Sequence, residues 1–504
     1  MQPLIFFVWL QNNSGEVNME VYARIGVAPF INCCGTRTIH GGSLMLPQVK
    51  QAMQDAAKHF VNMDELMAGV GAKLAELTGA EWGIVTSGAA AALCHATAAC
   101  VAGGDPERML RLPQTQGMKH KVLTLGEWRF TYDHAIRMPG VTIVEVSDLD
   151  EMTRAMDEDV AMIAVLSGRE GEQSIRLEDL SRVARDKDIP VLVDAASEHW
   201  VKPDPYLSRG ATMVAYSGGK YLRGPQPTGL LLGEKSWVEA AWLNAAPHHA
   251  FGRPMKVGKE EVMGVLAAVE FWAKGRDHAG EATRWRTDLE TVGEIVRQAP
   301  SVTTEILGGE GQSVPRLEVR WNGDHIGIGG LDLRKKLLST RPRIMLDDRG
   351  ATRASIFILP FSLQEGEARI VGERIRDVLS NAPPPVALPE AEPAEASGTW
   401  DVQIEFVKGS AAHILSLNQS GKVIDGTHRT MHQENRIEGE VNGSRIEMQS
   451  LHRFEGTHLS FTFEGEVSNG VMSGTLRLGS TGQSAPGPLN QREYGLAKWE
   501  AVKR

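Results

Sequence analysis

From roughly residue 20 to 300, short apolar runs keep recurring between longer amphipathic segments. The apolar runs include Trp82–Thr86, Lys121–Leu125, Met162–Leu166, Val191–Asp194, Thr212–Tyr216 and Gly229–Leu232. Helical patterns lie between them, at Pro47–His59, Asp64–Leu77, Ala89–Val101, Leu177–Lys187 and Lys259–Lys274. A strand that is apolar on both faces must be covered on both sides, and helices between the strands supply that cover. The pattern predicts an α/β domain with a largely parallel sheet.

Beyond residue 300 the pattern changes twice. Residues 301–380 read as a smaller α+β unit, with strands at Arg316–Trp321 and Ala354–Leu359 and helices around Leu331–Leu338 and Glu367–Leu379. Residues 381–398, NAPPPVALPEAEPAEASG, are dominated by Pro, Ala and Glu and predict a linker. Residues 399–504 carry short alternating runs parted by turns such as Asn442–Gly443 and Asn469–Gly470. They predict an all-β module, a small barrel or sandwich, in which no catalytic constellation is visible. Residues 1–18 are expected to be a disordered extension, with residues 19–300 forming the large domain and its N-terminal segment.

Composition excludes little, but it narrows the partners. A net charge of −10, from 53 basic and 63 acidic residues, argues against a general nucleic-acid binder. No run of 18 apolar residues predicts a membrane span. Cys33, Cys34, Cys94 and Cys100 do not form a disulfide framework or a paired metal motif, so a reducing cytoplasm is expected. His248 and His249 lack a partnering ligand at suitable spacing, and no metal site is expected.

Three motifs in the α/β region carry chemistry. Thr86-Ser87-Gly88-Ala89 follows a strand and opens a helix, where backbone N–H groups and the helix dipole favour an anion. A small-residue helix start is also common for packing alone. Asp194 ends an apolar strand, the place where ligands bind in open α/β sheets, although a strand-end aspartate can equally cap a helix. Lys220 follows Ser217-Gly218-Gly219 at another strand end, where desolvation would turn an ordinary surface amine into a nucleophile. Asp194 precedes Lys220 by 26 residues, room for a helix and one strand. Together they suit pyridoxal 5′-phosphate (PLP), whose pyridine nitrogen needs a carboxylate, whose aldehyde needs an amine and whose phosphate needs N–H donors.

The run SGGK-YLRGPQPTGLLLG, with TSGAAAAL, VDAA and GRPMKVGKEE, closely resembles the SelA-like PLP enzymes, a group that includes L-seryl-tRNA selenium transferase and D-glucosaminate-6-phosphate ammonia-lyase. The resemblance covers roughly residues 25–380 and does not include the β module. It implies fold type I, with an aspartate-aminotransferase-like large domain and a small α+β domain. It implies Lys220 as the Schiff-base lysine, Asp194 as the pyridinium partner, and Ser87, Gly88, Ala89 and Ser217 as the phosphate cup. Arg253 is implied for the cofactor and Lys256 for the substrate, from a segment that can reach a neighbouring subunit. Trp128 falls where relatives often place a histidine that stacks on the pyridine ring, which leaves an aromatic face but no acid–base group. Arg37, Thr38 and Ser43 are possible substrate contacts in a segment that crosses the active-site mouth.

The resemblance implies a PLP-dependent amino-acid lyase of the ammonia-lyase type, eliminating a β-substituent from a β-hydroxylated or otherwise substituted amino acid. A racemase or epimerase, for which Cys33, Cys34 or His40 would supply the second acid–base group, and a transferase acting on a seryl-type substrate are the alternatives. A homodimer or higher homo-oligomer is expected.

Overall fold

The computed structural model describes residues 20–169, 175–309, 314–385, 391–481 and 494–504. The expected extension at 1–18 lies outside them, as does part of the linker. Three separate apolar cores organise the chain.

The first core surrounds a seven-stranded sheet. Its order is Trp82–Thr86, Gly229–Gly233, Met213–Ser217, Val191–Asp194, Val160–Leu166, Lys121–Leu125, Thr142–Val146. Only Gly229–Gly233 runs against its neighbours, so the sheet is largely parallel. The central strands are buried along nearly their whole length, as expected for a sheet covered on both faces. One covering helix, Ala89–Ala102, is almost entirely buried and built of small residues, which lets it lie close on the sheet. Because six strands point the same way, the carboxyl ends of Trp82–Thr86, Val191–Asp194 and Met213–Ser217 meet at one edge.

The second core is a five-stranded sheet ordered Ile31–Cys33, Ile344–Thr352, Ser355–Ile358, Arg316–Trp321, Val302–Leu307. It draws residues from further back than residue 301. Ile31 and Cys33 supply a parallel edge strand, and Leu289, Val292 and Val296 of the helix His278–Val296 pack into its core. The three-residue edge strand was too short to show a period in the sequence.

The third core fills a closed eight-stranded antiparallel barrel, from Gly398–Glu405 through to Leu496–Lys503, which pair with each other to close it. Closure leaves no sheet edge open to water. Inward and outward residues alternate, as in Arg445–Phe454. Two of its strands, Val423–Arg429 and Leu496–Lys503, do not stand out in the sequence. Polar residues and a glycine dilute the apolar signal of Val423–Arg429. Among the described residues no helix is long and apolar enough to cross a membrane.

Candidate active site

Strand pairing brings the three motifs together. Gly229 pairs with Thr86 on one side and Ser217 on the other. Ser87–Ala89 and Ser217 therefore begin next to one another, although 128 residues separate Ala89 from Ser217. A Cβ on Gly229 would overlap the backbone of Gly88 and Ala89. Glycine is required there for the strand and the helix start to touch. The helix N-cap, Gly88, takes φ +101° and offers no side-chain acceptor to the first turn. With no acidic residue in that turn, its N–H groups are available to an anion. Thr86 Oγ1 donates to the Gly88 carbonyl at 2.9 Å and holds the turn.

Asp194 and Lys220 occupy neighbouring strand ends, since Asp194 pairs with Ala215. Asp194 is buried, its Oδ1 accepting from the Ala196 N–H at 2.9 Å. Burial raises its pKa, and the charge of Lys220 opposes that rise. Burial also depresses the Lys220 amine, which the Asp194 carboxylate partly restores. The Lys220 Nζ donates to Ser197 Oγ at 3.3 Å. Ser197 was not among the sequence candidates. It lies three residues past Asp194, but nothing in its local pattern marked it out.

The turn that carries Lys220 tolerates little change. A Cβ on Gly219 would lie 2.5 Å from Gln226 Cα. Ser43 Oγ donates to the Gly219 carbonyl at 2.9 Å, Gln226 Nε2 to the Thr38 carbonyl at 3.1 Å, and Arg223 Nε to the Leu44 carbonyl at 2.9 Å. The N-terminal segment thus lies across the lysine turn. Arg37 is otherwise engaged, since its guanidinium pairs with the buried carboxylates of Asp347 and Asp348 on the small sheet. Those pairs occupy the charge that a substrate carboxylate would use.

Trp128 is 2% exposed and lines one small cavity with Asp194, Thr124 and Ala164. Its Nε1 has no hydrogen-bond partner among the described residues. An indole so enclosed acts as a wall beside Asp194 more than as an open stacking face. Arg253 and Lys256 are exposed, and their side chains make no hydrogen bond or ion pair among the described residues. Among the described residues neither bonds to Lys220 or Asp194. Cys33 and Cys34 are buried. Burial pushes the Cys33 thiol well up and the Cys34 thiol to about 12, and Cys34 Sγ donates to the Leu346 carbonyl at 3.0 Å. Both remain protonated and unsuited to act as bases. His40 is pushed down to about 4, by burial first and then by Arg37. No group of three or more metal-ligating side chains occurs among the described residues.

No family model matches the chain. D-glucosaminate-6-phosphate ammonia lyase of Salmonella typhimurium is 30% identical over 375 residues, spanning 72% of this chain and 99% of that protein. The 5′-C-glycyluridine monooxygenase-decarboxylase of a Streptomyces species is 28% identical over 397 residues, 75% of this chain and 96% of its own. The L-seryl-tRNA(Sec) selenium transferase of Proteus mirabilis is 24% identical over 304 residues, 52% of this chain and 61% of its own. A solved structure of D-glucosaminate-6-phosphate ammonia-lyase superposes with a TM-score of 0.65 at 29% identity, covering 73% of this chain and all of that one.

Proposed function

Since the chain belongs to the family of D-glucosaminate-6-phosphate ammonia lyase and the L-seryl-tRNA(Sec) selenium transferases, we propose that Lys220 binds PLP covalently and removes the α-proton of a β-hydroxylated or otherwise β-substituted small amino acid. The chain is an enzyme, and its family supports a reaction of the ammonia-lyase type. The observation that carries the residue assignment is the pairing of a buried carboxylate and a desolvated amine on adjacent strand ends, beside an uncapped helix start.

The residues fit the cofactor. Asp194 would hold the protonated pyridine nitrogen, and its burial strengthens that ion pair. The N–H groups at Ser87–Ala89 and the Ser217 hydroxyl would hold the phosphate. PLP, when bound, supplies an electron sink for the substrate carbanion. Lys220, its amine kept partly uncharged by burial, would take the α-proton and hand it to the departing hydroxide. Ser197 orients that amine from 3.3 Å. Loss of hydroxide from the β-carbon, with a proton taken up, releases water. Hydrolysis of the resulting enamine then gives ammonia and a 2-keto acid. Ser43 and Thr38 close the mouth through the lysine turn.

We further propose fold type I and a homodimer or higher homo-oligomer. The free cations Arg253 and Lys256, and the exposed apolar side chains of Ile39 and Phe60, suit a contact with a second copy. A racemase would need a base facing Lys220. Cys33 and Cys34 are disfavoured for that role by their raised pKa values. Incubation with panels of D- and L-amino acids and amino sugar acids tests the reaction. Ammonia and keto acid released together support the lyase, and chirality loss without ammonia rejects it.

A further inference from the structure

One turn of the barrel reaches into the domain of the large sheet, and it is fitted to its place. The turn is Glu455–Gly456, between the strands Arg445–Phe454 and Thr457–Ser468. Glu455 takes the left-handed conformation, φ +54°, which a residue with a Cβ adopts only at a cost. Gly456 has no room for a side chain, because a Cβ there would overlap the carbonyl oxygen of Phe130. Both features sit where the turn meets the segment that follows Trp128.

The centre of the contact is Arg129, 2% exposed. Its Nε meets Asp133 at 2.5 Å, its Nη1 meets Glu145 at 2.6 Å, and its Nη2 pairs with the barrel's Glu455. Arg453 adds a second bridge from the barrel, reaching Glu145 at 2.6 Å and the Glu455 carbonyl at 3.0 Å. A guanidinium this buried needs its partners, since removing one leaves charge and N–H groups uncompensated. The barrel supplies one of the three carboxylates. Trp128 precedes Arg129 directly, and its indole lines the cavity that also holds Asp194.

We infer that the barrel is a built-in brace for the active site: Arg453, Glu455 and Gly456 fix Arg129, and through it Trp128, the wall that keeps water from Asp194. These are positioning residues, and none touches a reacting atom. The inference rests on the reading of Asp194 and Lys220 as the PLP site. It gives the barrel a role that the similarity to the lyase does not supply, because 28% of the chain lies outside that match.

The test uses the full-length, PLP-loaded protein and the variants Glu455→Gln and Gly456→Ala. Arg436→Ala, at an exposed barrel ion pair with Glu438, is the control. Three readouts are taken: PLP retention, the visible circular dichroism of the lysine-bound cofactor, and far-ultraviolet circular dichroism for the fold. Both turn variants are expected to bind PLP roughly tenfold more weakly, the lower end for contacts that support a bound group from behind. They are also expected to change the visible band while keeping the far-ultraviolet spectrum, and the control matches the wild type. Folded turn variants with wild-type retention and an unchanged visible band overturn the inference. If one variant does not fold, the other decides. If neither folds, Arg453→Lys, which keeps the charge, is read the same way. A wild type that shows no lysine-bound band at all rejects the PLP reading itself, and the brace with it.

Discussion

At the scale of single residues, Lys220 and Asp194 set each other's protonation. Burial lowers the lysine below the ordinary value, so more of it is uncharged at neutral pH than a solvated lysine would be. The folded value lies below the unfolded one, so this lysine costs stability at neutral pH, and that cost fades as pH rises through the unfolded value. The rate at which apo protein captures PLP should therefore rise with pH and level off earlier than for a free lysine. Asp194→Asn removes the carboxylate that favours the ammonium, so the rise should move to still lower pH. A stopped-flow pH profile checks this, and an unchanged or upward-moved midpoint counts against the assignment. That Lys220, Asp194 and Ser87 converge was legible because each lies at or just past a strand end in a small-residue motif. Ser197 was not, since its place beside Lys220 depends on how two strand ends meet in space. The tie of Arg37 to Asp347 and Asp348 was equally hidden, because some 310 residues separate the partners.

At the scale of elements, the site depends on backbone approach as much as on side chains. Gly229→Ala adds one methyl between a strand and a helix start that already touch. It should weaken PLP binding by about 1–3 kcal/mol, the usual cost of forcing extra volume into a packed site. Inorganic phosphate should protect the apo variant from heat less than it protects the wild type. Equal protection would mean that this helix start does not hold the anion. The barrel holds a second element-scale feature that its alternating pattern concealed. His413, His428 and His452 project inward from the strands Ser410–Ser420, Val423–Arg429 and Arg445–Phe454 and form a chain, with ring nitrogens at 2.9 and 3.0 Å. Burial pushes His413 down to about 4 and His428 to about 2, and their neighbours add to the effect. Folded values below the unfolded one mean that stability is present above about pH 6.5 and is lost as pH falls toward about 4. Each pH unit in that window costs about 1.4 kcal/mol per histidine that remains neutral. The barrel's melting transition, followed by its buried tryptophans Trp400 and Trp499, should drop between pH 7 and pH 5. An acid-insensitive transition would contradict the closed histidine chain. The chain was invisible in the sequence because the three residues are 15 and 24 positions apart and show no metal-like spacing.

At the scale of the whole molecule, the described residues form three cores, and their borders do not follow the changes of pattern along the sequence. The small sheet recruits the helix His278–Val296 that directly precedes it and, from the N-terminal side of the large domain, Ile31–Cys33, a pairing that no local window reveals. With three cores, unfolding should proceed in separate steps, so a single melting temperature will not describe the protein. PLP should raise the transition of the domains that hold Lys220 more than that of the barrel. The central claim is that one amine in the whole chain carries the cofactor. Borohydride reduction of the PLP-loaded protein, followed by peptide mass spectrometry, tests it directly. The account predicts a single phosphopyridoxyl label on Lys220, absent from Lys220→Ala. A label on another lysine, or none on a protein that is otherwise folded, would contradict it.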